Sequence, residues 1–122
     1  MPPATVLDPC VLRDLRELGG DEPQELLDEL FVLLFASART QLALIRSAAE
    51  RRDRDTLTRA AHTLKGGAGS VGALEVAALA GVIESSARKG ADAPWEEMAV
   101  ELEAALLRLR EAAIYQGLKT TG

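Results

Sequence analysis

The sequence predicts an all-α fold: an antiparallel up-down four-helix bundle with a short additional helix at its N-terminus. Ala and Leu supply 21 and 20 of the 122 residues, against ten Val and Ile combined, a balance that favours helix over sheet. Apolar residues recur at three- and four-residue spacing through most of the chain. Pro and Gly stand almost entirely between these periodic segments, and the connections are so short that consecutive long helices must be antiparallel neighbours.

Each element has its own start and stop. Asp8 and Pro9 read as cap and first-turn residues of a short helix with Leu12, Leu15 and Leu18 on its apolar side, ended by Gly19-Gly20. Asp21 or Glu22 with Pro23 opens a long helix whose stripe is Leu27, Leu30, Leu34, Ala38, Gln41, Ile45 and Ala48, stopping near Arg51 or Arg52. Asp53 caps a third helix from about Asp55, carrying Leu57, Ala60, Leu64, Ala68 and Val71 before a turn at Gly72. The fourth runs from Ala73 to Arg88 and is expected to turn Leu74, Ala77, Ala78, Gly81, Val82 and Ser85 inward. Asp92 or Ala93 with Pro94 opens the fifth, with Trp95, Met98, Leu102, Ala105, Leu109 and Ala112 as its stripe. One domain over residues 1–122 is expected, with a core of about 7–116 and a tail, 117–122, that frays.

Composition narrows the function. The 48% hydrophobic content suffices for a compact core, and with 3% aromatics (Phe31, Phe35, Trp95 and Tyr115) that core is aliphatic. A net charge of −5 with no long basic run argues against nucleic acid as a partner. Cys10 is the only cysteine, so the chain builds no internal disulfide or thiolate cluster, and it reads as a small buried packing residue. Neither a signal peptide nor a membrane span is read, because Asp28, Glu29, Arg39 and Gln41 interrupt the richest stretch, Leu26 to Ile45. A metal site would need several ligands, and one His with one Cys leaves only carboxylates to complete it.

Residues 58–72, TRAAHTLKGGAGSVG, are what packing does not explain. With His62 at zero on a helical wheel, Leu57, Ala60, Leu64, Ala68 and Val71 fall between about 160° and 240°, so the histidine faces water. Thr58, Arg59, Lys65, Gly66 and Gly69 share its side, as does Ala73 if the helix continues. Gly66, Gly67 and Gly69 each cost a helix roughly 0.5–1 kcal/mol relative to Ala. Close approach of another helix accounts for Gly67, whereas Gly66 and Gly69 on the solvent side point to docking of a second protein. Neutral imidazole is nucleophilic near pH 7 and its N–P adduct passes the group on, which suits phosphoryl transfer between proteins. Lys65, one turn on, neutralises phosphoryl oxygens; Arg59, one turn back, is a weaker candidate for that work.

The run His62-Thr63-Leu64-Lys65-Gly66-Gly67-Ala68-Gly69-Ser70-Val71-Gly72-Ala73 resembles the signature of histidine-containing phosphotransfer (HPt) domains, and Ile83-Glu84 resembles the Leu/Ile-Glu step of the helix that follows it in that family. The likeness covers about residues 7–110. It implies a monomeric, cytoplasmic helical bundle in a bacterial multistep phosphorelay, a stand-alone protein or a module of a larger hybrid sensor kinase. His62 would accept a phosphoryl group from a receiver-domain aspartate, through Nε2, and hand it to another receiver. Lys65 would assist electrostatically, Gly66 would give the receiver access and Gly72 would close the helix. The family's frequent Gly-Asp before the His helix is Arg52-Asp53 here. The resemblance implies a phosphocarrier and not an enzyme, with no cofactor of its own, Mg²⁺ and the aspartate coming from the receiver, and no direct membrane contact.

Two other readings compete. His62 with Glu75 or Glu84 could serve acid-base hydrolysis, although the pattern suggests no enclosed pocket. The bundle could also bind a receiver, or another signalling protein, without carrying phosphate. In either binding mode the patch is expected to include Thr58, Gly66, Gly69, Ala73 and part of the second helix, where Leu33, Phe35 or Ser37 would emerge.

Overall fold

A computed structural model describes residues 5–122 and contains, among them, five helices and no strand. They are α1 (Pro9–Leu18), α2 (Pro23–Arg51), α3 (Arg54–Ser70), α4 (Leu74–Lys89) and α5 (Trp95–Tyr115). Contacts close the four long helices into a ring: α2 on α3, α3 on α4, α4 on α5, and α5 back on α2, with α1 against α2. Among the described residues α2 alone is long and apolar enough to cross a bilayer by length and composition; here its apolar side packs on its neighbours.

The punctuation works as the residue types dictate. Asp8 accepts from the backbone N–H of Cys10 at 2.9 Å, and Asp53 accepts from the backbone N–H and hydroxyl of Thr56, each satisfying a donor that a helix start leaves orphaned. Those Thr56 bonds hold the Asp53 carboxyl below its ordinary pKa. At the α2 C-cap Arg52 adopts a left-handed φ of 57°, a conformation that glycine takes without strain. Its guanidinium compensates by bonding Asp92 at 2.6 Å and the Ala93 carbonyl, and by lying 4.0 Å above the Trp95 ring. Trp95 itself is buried and donates to the Ser86 hydroxyl at 2.9 Å, anchoring the start of α5 on α4.

Gly72 fixes the turn between α3 and α4. Its φ is +77°, and a Cβ there would sit 2.8 Å from that of Val11, so a side chain is excluded on both counts. Its carbonyl accepts from the Asp8 N–H at 2.8 Å, and Thr5 accepts from the Glu75 N–H, which ties the beginning of α1 to this turn.

Several expectations need correction. Cys10 is exposed, because α1 lays only one side on the bundle and buries Leu12; Leu18, expected inside, faces solvent for the same reason. Phe35 is buried with Phe31, their rings 6.5 Å apart, so neither provides the exposed aromatic considered for α2. Pro94 is the cap of α5 and not its first residue. In α4 the buried residues are Val76, Ala80, Ile83, Glu84 and Ala87, while Leu74, Ala78 and Val82 are exposed; the inward face lies about 140° from where the pattern put it. The end past residue 116 is also held: Leu118 is buried, Gln24 donates to the Gly117 carbonyl at 2.8 Å, and the Lys119 N–H donates to Asp28 at 2.9 Å.

Candidate functional site

The site forms where α3 and α4 pack together. Ala60, Ala61, Leu64 and Ala68 turn α3 inward, and a helical period then places His62 outward, its side chain 69% exposed. Opposite it, the buried face of α4 is apolar except at Glu84, whose side chain is only 4% exposed. A buried carboxylate needs charged or hydrogen-bonding partners, and Glu84 has three. His62 Nδ1 lies 2.7 Å from Oε2, Arg88 Nη2 2.8 Å from the same oxygen, and Lys65 Nζ 3.2 Å from Oε1. Burial pushes the Glu84 carboxyl up, but the hydrogen bonds from His62 and Lys65, with the Lys65 charge, outweigh it and hold the pKa below the ordinary value.

An ionised carboxylate only accepts, so His62 Nδ1 must carry the proton in this contact. In the neutral ring that leaves Nε2 unprotonated, with its lone pair available as a nucleophile. Lys65 and Arg88, both more than half exposed, stand on the carboxylate with part of each cation in solvent, where it can meet an incoming anion. The arrangement can therefore orient one ring nitrogen, balance positive charge on the ring and attract a dianionic group.

The remaining candidates divide. At Gly66 and Gly69 an added Cβ would meet nothing within 4 Å, so both are open surface. At Gly67 it would meet Leu34 Cδ1 at 3.5 Å, ordinary contact, so close helix packing does not require the glycine that was assigned to it. Arg59 stays on its own helix, its Nε 3.4 Å from the Asp55 carbonyl, and does not join the cluster. Arg88 supplies the second cation instead. Thr58, whose hydroxyl donates to the Arg54 carbonyl, lines with Arg54, Arg59 and Arg88 a groove of about 450 Å³ beside the site. Ala73 does not belong to the surface: α3 ends at Ser70, the chain turns at Gly72, and Ala73 caps α4 fully buried. On α2, Leu33 and Leu44 are exposed and Ser37 is half-buried.

Sequence reasoning noted Glu84 in a two-residue likeness and as one of two possible acid-base partners of His62, but not as a carboxylate that orients the ring, and it missed Arg88. The available signal was the i,i+4 spacing of Glu84 and Arg88 in the second half of α4.

Comparisons with known proteins identify the family and a structural relative. The family model described as the Hpt domain matches residues 29–112, which include all four members of the cluster. Among solved structures the chain is similar to histidine-containing phosphotransfer protein B (HptB) from Pseudomonas aeruginosa PAO1, with 26% identity and a TM-score of 0.82 over 93% of this chain and 95% of that one. A search of curated proteins finds no match.

Proposed function

Because this chain belongs to the Hpt domain family, we propose that it is a phosphorelay intermediate, taking a phosphoryl group from a receiver-domain aspartate onto His62 Nε2 and passing it to another receiver aspartate. The observation that carries this reading is the contact between His62 Nδ1 and the buried Glu84 carboxylate, which leaves Nε2 as the exposed nucleophile. The Nε2 lone pair attacks phosphorus, the N–P bond forms, and the acyl P–O bond breaks with its electron pair leaving on the aspartate carboxylate. The Nδ1 proton stays where it is, and Glu84 balances the positive charge that the ring acquires. Lys65 and Arg88 meet the phosphoryl oxygens, and the bare backbone at Gly66 and Gly69 lets the receiver bring its aspartate to in-line distance.

In this reading the receiver supplies Mg²⁺, and the chain is a cytoplasmic carrier with no cofactor and no kinase activity of its own. Connections of two, three and five residues join α2 to α3, α3 to α4 and α4 to α5, which supports reading the ring as an antiparallel up-down bundle. The docking surface extends from the exposed side of α3 to Leu33 and Leu44 on α2.

The test is transfer from a radiolabelled phosphorylated receiver. The wild-type chain should take up acid-labile, alkali-stable phosphate. His62→Gln should take up none while its helicity and melting temperature stay near wild type, since the side chain is mostly exposed. Labelling of the variant would refute the assignment, and a wild-type chain that binds receiver without labelling would favour a pure binding module.

A further inference from the structure

The side of the bundle farthest from His62 carries a pattern that the phosphotransfer reading does not use. On α5, Val100, Leu107 and Ile114 are 66%, 59% and 57% exposed. They are spaced by seven residues and fall at about 140°, 120° and 100° on the wheel with Trp95 at zero, a continuous seam whose slow drift is that of a left-handed helix pair. The core of α5, from Trp95 to Ala113, lies on the other side of the helix, so folding of the chain does not require this seam. Beside it an apolar groove of about 180 Å³ runs between α2 and α5, lined by Leu42, Leu106 and Leu107 among others.

We propose that this seam pairs with the same seam of a second copy, antiparallel and two-fold about Leu107. The charges favour that occupant. An antiparallel pair related by a two-fold at Leu107 sets Val100 beside Ile114 of the second copy and Leu107 beside its own equivalent. It also brings like flanks of the two helices to the same side. On the flank towards α2, Glu103 then faces Arg110 of the second copy, twice per dimer. On the other flank Glu111 faces Ala104, so no two carboxylates oppose one another. A seam with this symmetry is self-complementary, as a two-fold contact between identical chains requires. Within one chain Glu103 bonds Arg46 at 2.7 Å and Arg110 lies 5.0 Å from the Phe35 ring, which holds both at the edges of the seam.

The ring order places this contact away from the chemistry. Among the described residues α5 touches α2 and α4 but not α3, so a dimer through α5 leaves both copies of His62 on outer faces. The resemblance stated for the sequence implies a monomer, and the α5 surface argues for a two-site carrier instead.

Sedimentation velocity over a concentration series decides it. The wild-type chain should show a concentration-dependent dimer, and Leu107→Asp a monomer with unchanged melting temperature. Glu103→Arg and Arg110→Glu should each be monomeric alone, whereas an equimolar mixture should recover the dimer, because both contacts then join unlike charges. A merely structural effect of either substitution would not be repaired by mixing. A wild-type chain that stays monomeric throughout, as it would if the seam received a helix of another protein, overturns the proposal, and so does a mixture that fails to associate. Phosphate uptake by His62 is read separately and stands or falls independently of either result.

Discussion

Glu84 Oε2 accepts from His62 Nδ1 at 2.7 Å and from Arg88 Nη2 at 2.8 Å, so one buried oxygen joins the imidazole to a cation on the neighbouring helix. The ring's orientation and tautomer are thereby set by a residue 22 positions further along the chain. In the proposed phosphotransfer, a ring fixed in this way is already oriented for attack.

Glu84→Gln removes the charge and replaces a pure acceptor by an amide that can present either end to Nδ1. Transfer should slow by about 10- to 100-fold, the range seen when an orienting carboxylate is taken from a ligating histidine. The apparent affinity for the receiver should stay near wild type, because Glu84 does not reach the surface. Single-turnover kinetics separate the two, and long-range ¹H–¹⁵N spectra should show a single tautomer giving way to a mixture.

Gly66→Ala should stabilise the fold by about 0.5–1 kcal/mol, since the position is inside a helix and the added methyl meets nothing. The gain at Gly69, in the last turn, should be smaller. Gly66→Glu should keep the fold but weaken receiver binding through its bulk and charge. Denaturant titration and receiver affinity measured on the same variants check both halves; an Ala variant that loses stability would show the glycine to be a packing device.

The acid limb of stability should carry Glu84's signature. Its carboxyl is held below its ordinary value of 4.5 in the folded chain, so the unfolded chain binds the proton more readily. The resulting stabilisation is present above about pH 4.5 and is lost as pH falls through the lower, folded value. Asp53 acts in the same direction through its Thr56 bonds. The stability of Glu84→Gln should therefore fall less steeply with acid than that of the wild type, as melting curves across this window will show.

Leu118→Ala should cost about 2 kcal/mol, the lower end for a buried leucine, because the tail buries this side chain while neighbouring positions remain open. Urea unfolding gives the value directly. A change below a few tenths of a kcal/mol would mean the tail detaches in solution.

Helix starts and ends were legible because Asp8, Asp53, Pro23 and Gly72 impose local geometry that no distant contact needs to confirm. His62, Lys65, Gly66 and Gly69 were legible because an apolar period opposite them leaves their side to solvent. The face of α4 was not. From Leu74 to Ile83 its sequence is apolar nearly all round apart from Glu75, and Glu84 reads as a solvent residue when its partners on α3 are unknown. Treating that carboxylate as exposed turned the helix the wrong way and hid the cluster at once. Arg59 and Arg88 are equally plausible cations by type; only the packing of α3 on α4 brings the second to Glu84. Ala73 was misplaced because a wheel extrapolates through a turn it cannot see.

His62 is the only histidine in the chain, and its ring is mostly in solvent while one nitrogen is tethered. A proton spectrum of the unlabelled protein therefore contains one pair of imidazole carbon-bound resonances, free of overlap from any sibling. Those two lines would read out occupancy in real time, letting loading and discharge be followed in a mixture of relay proteins without isotopes, tags or quenching.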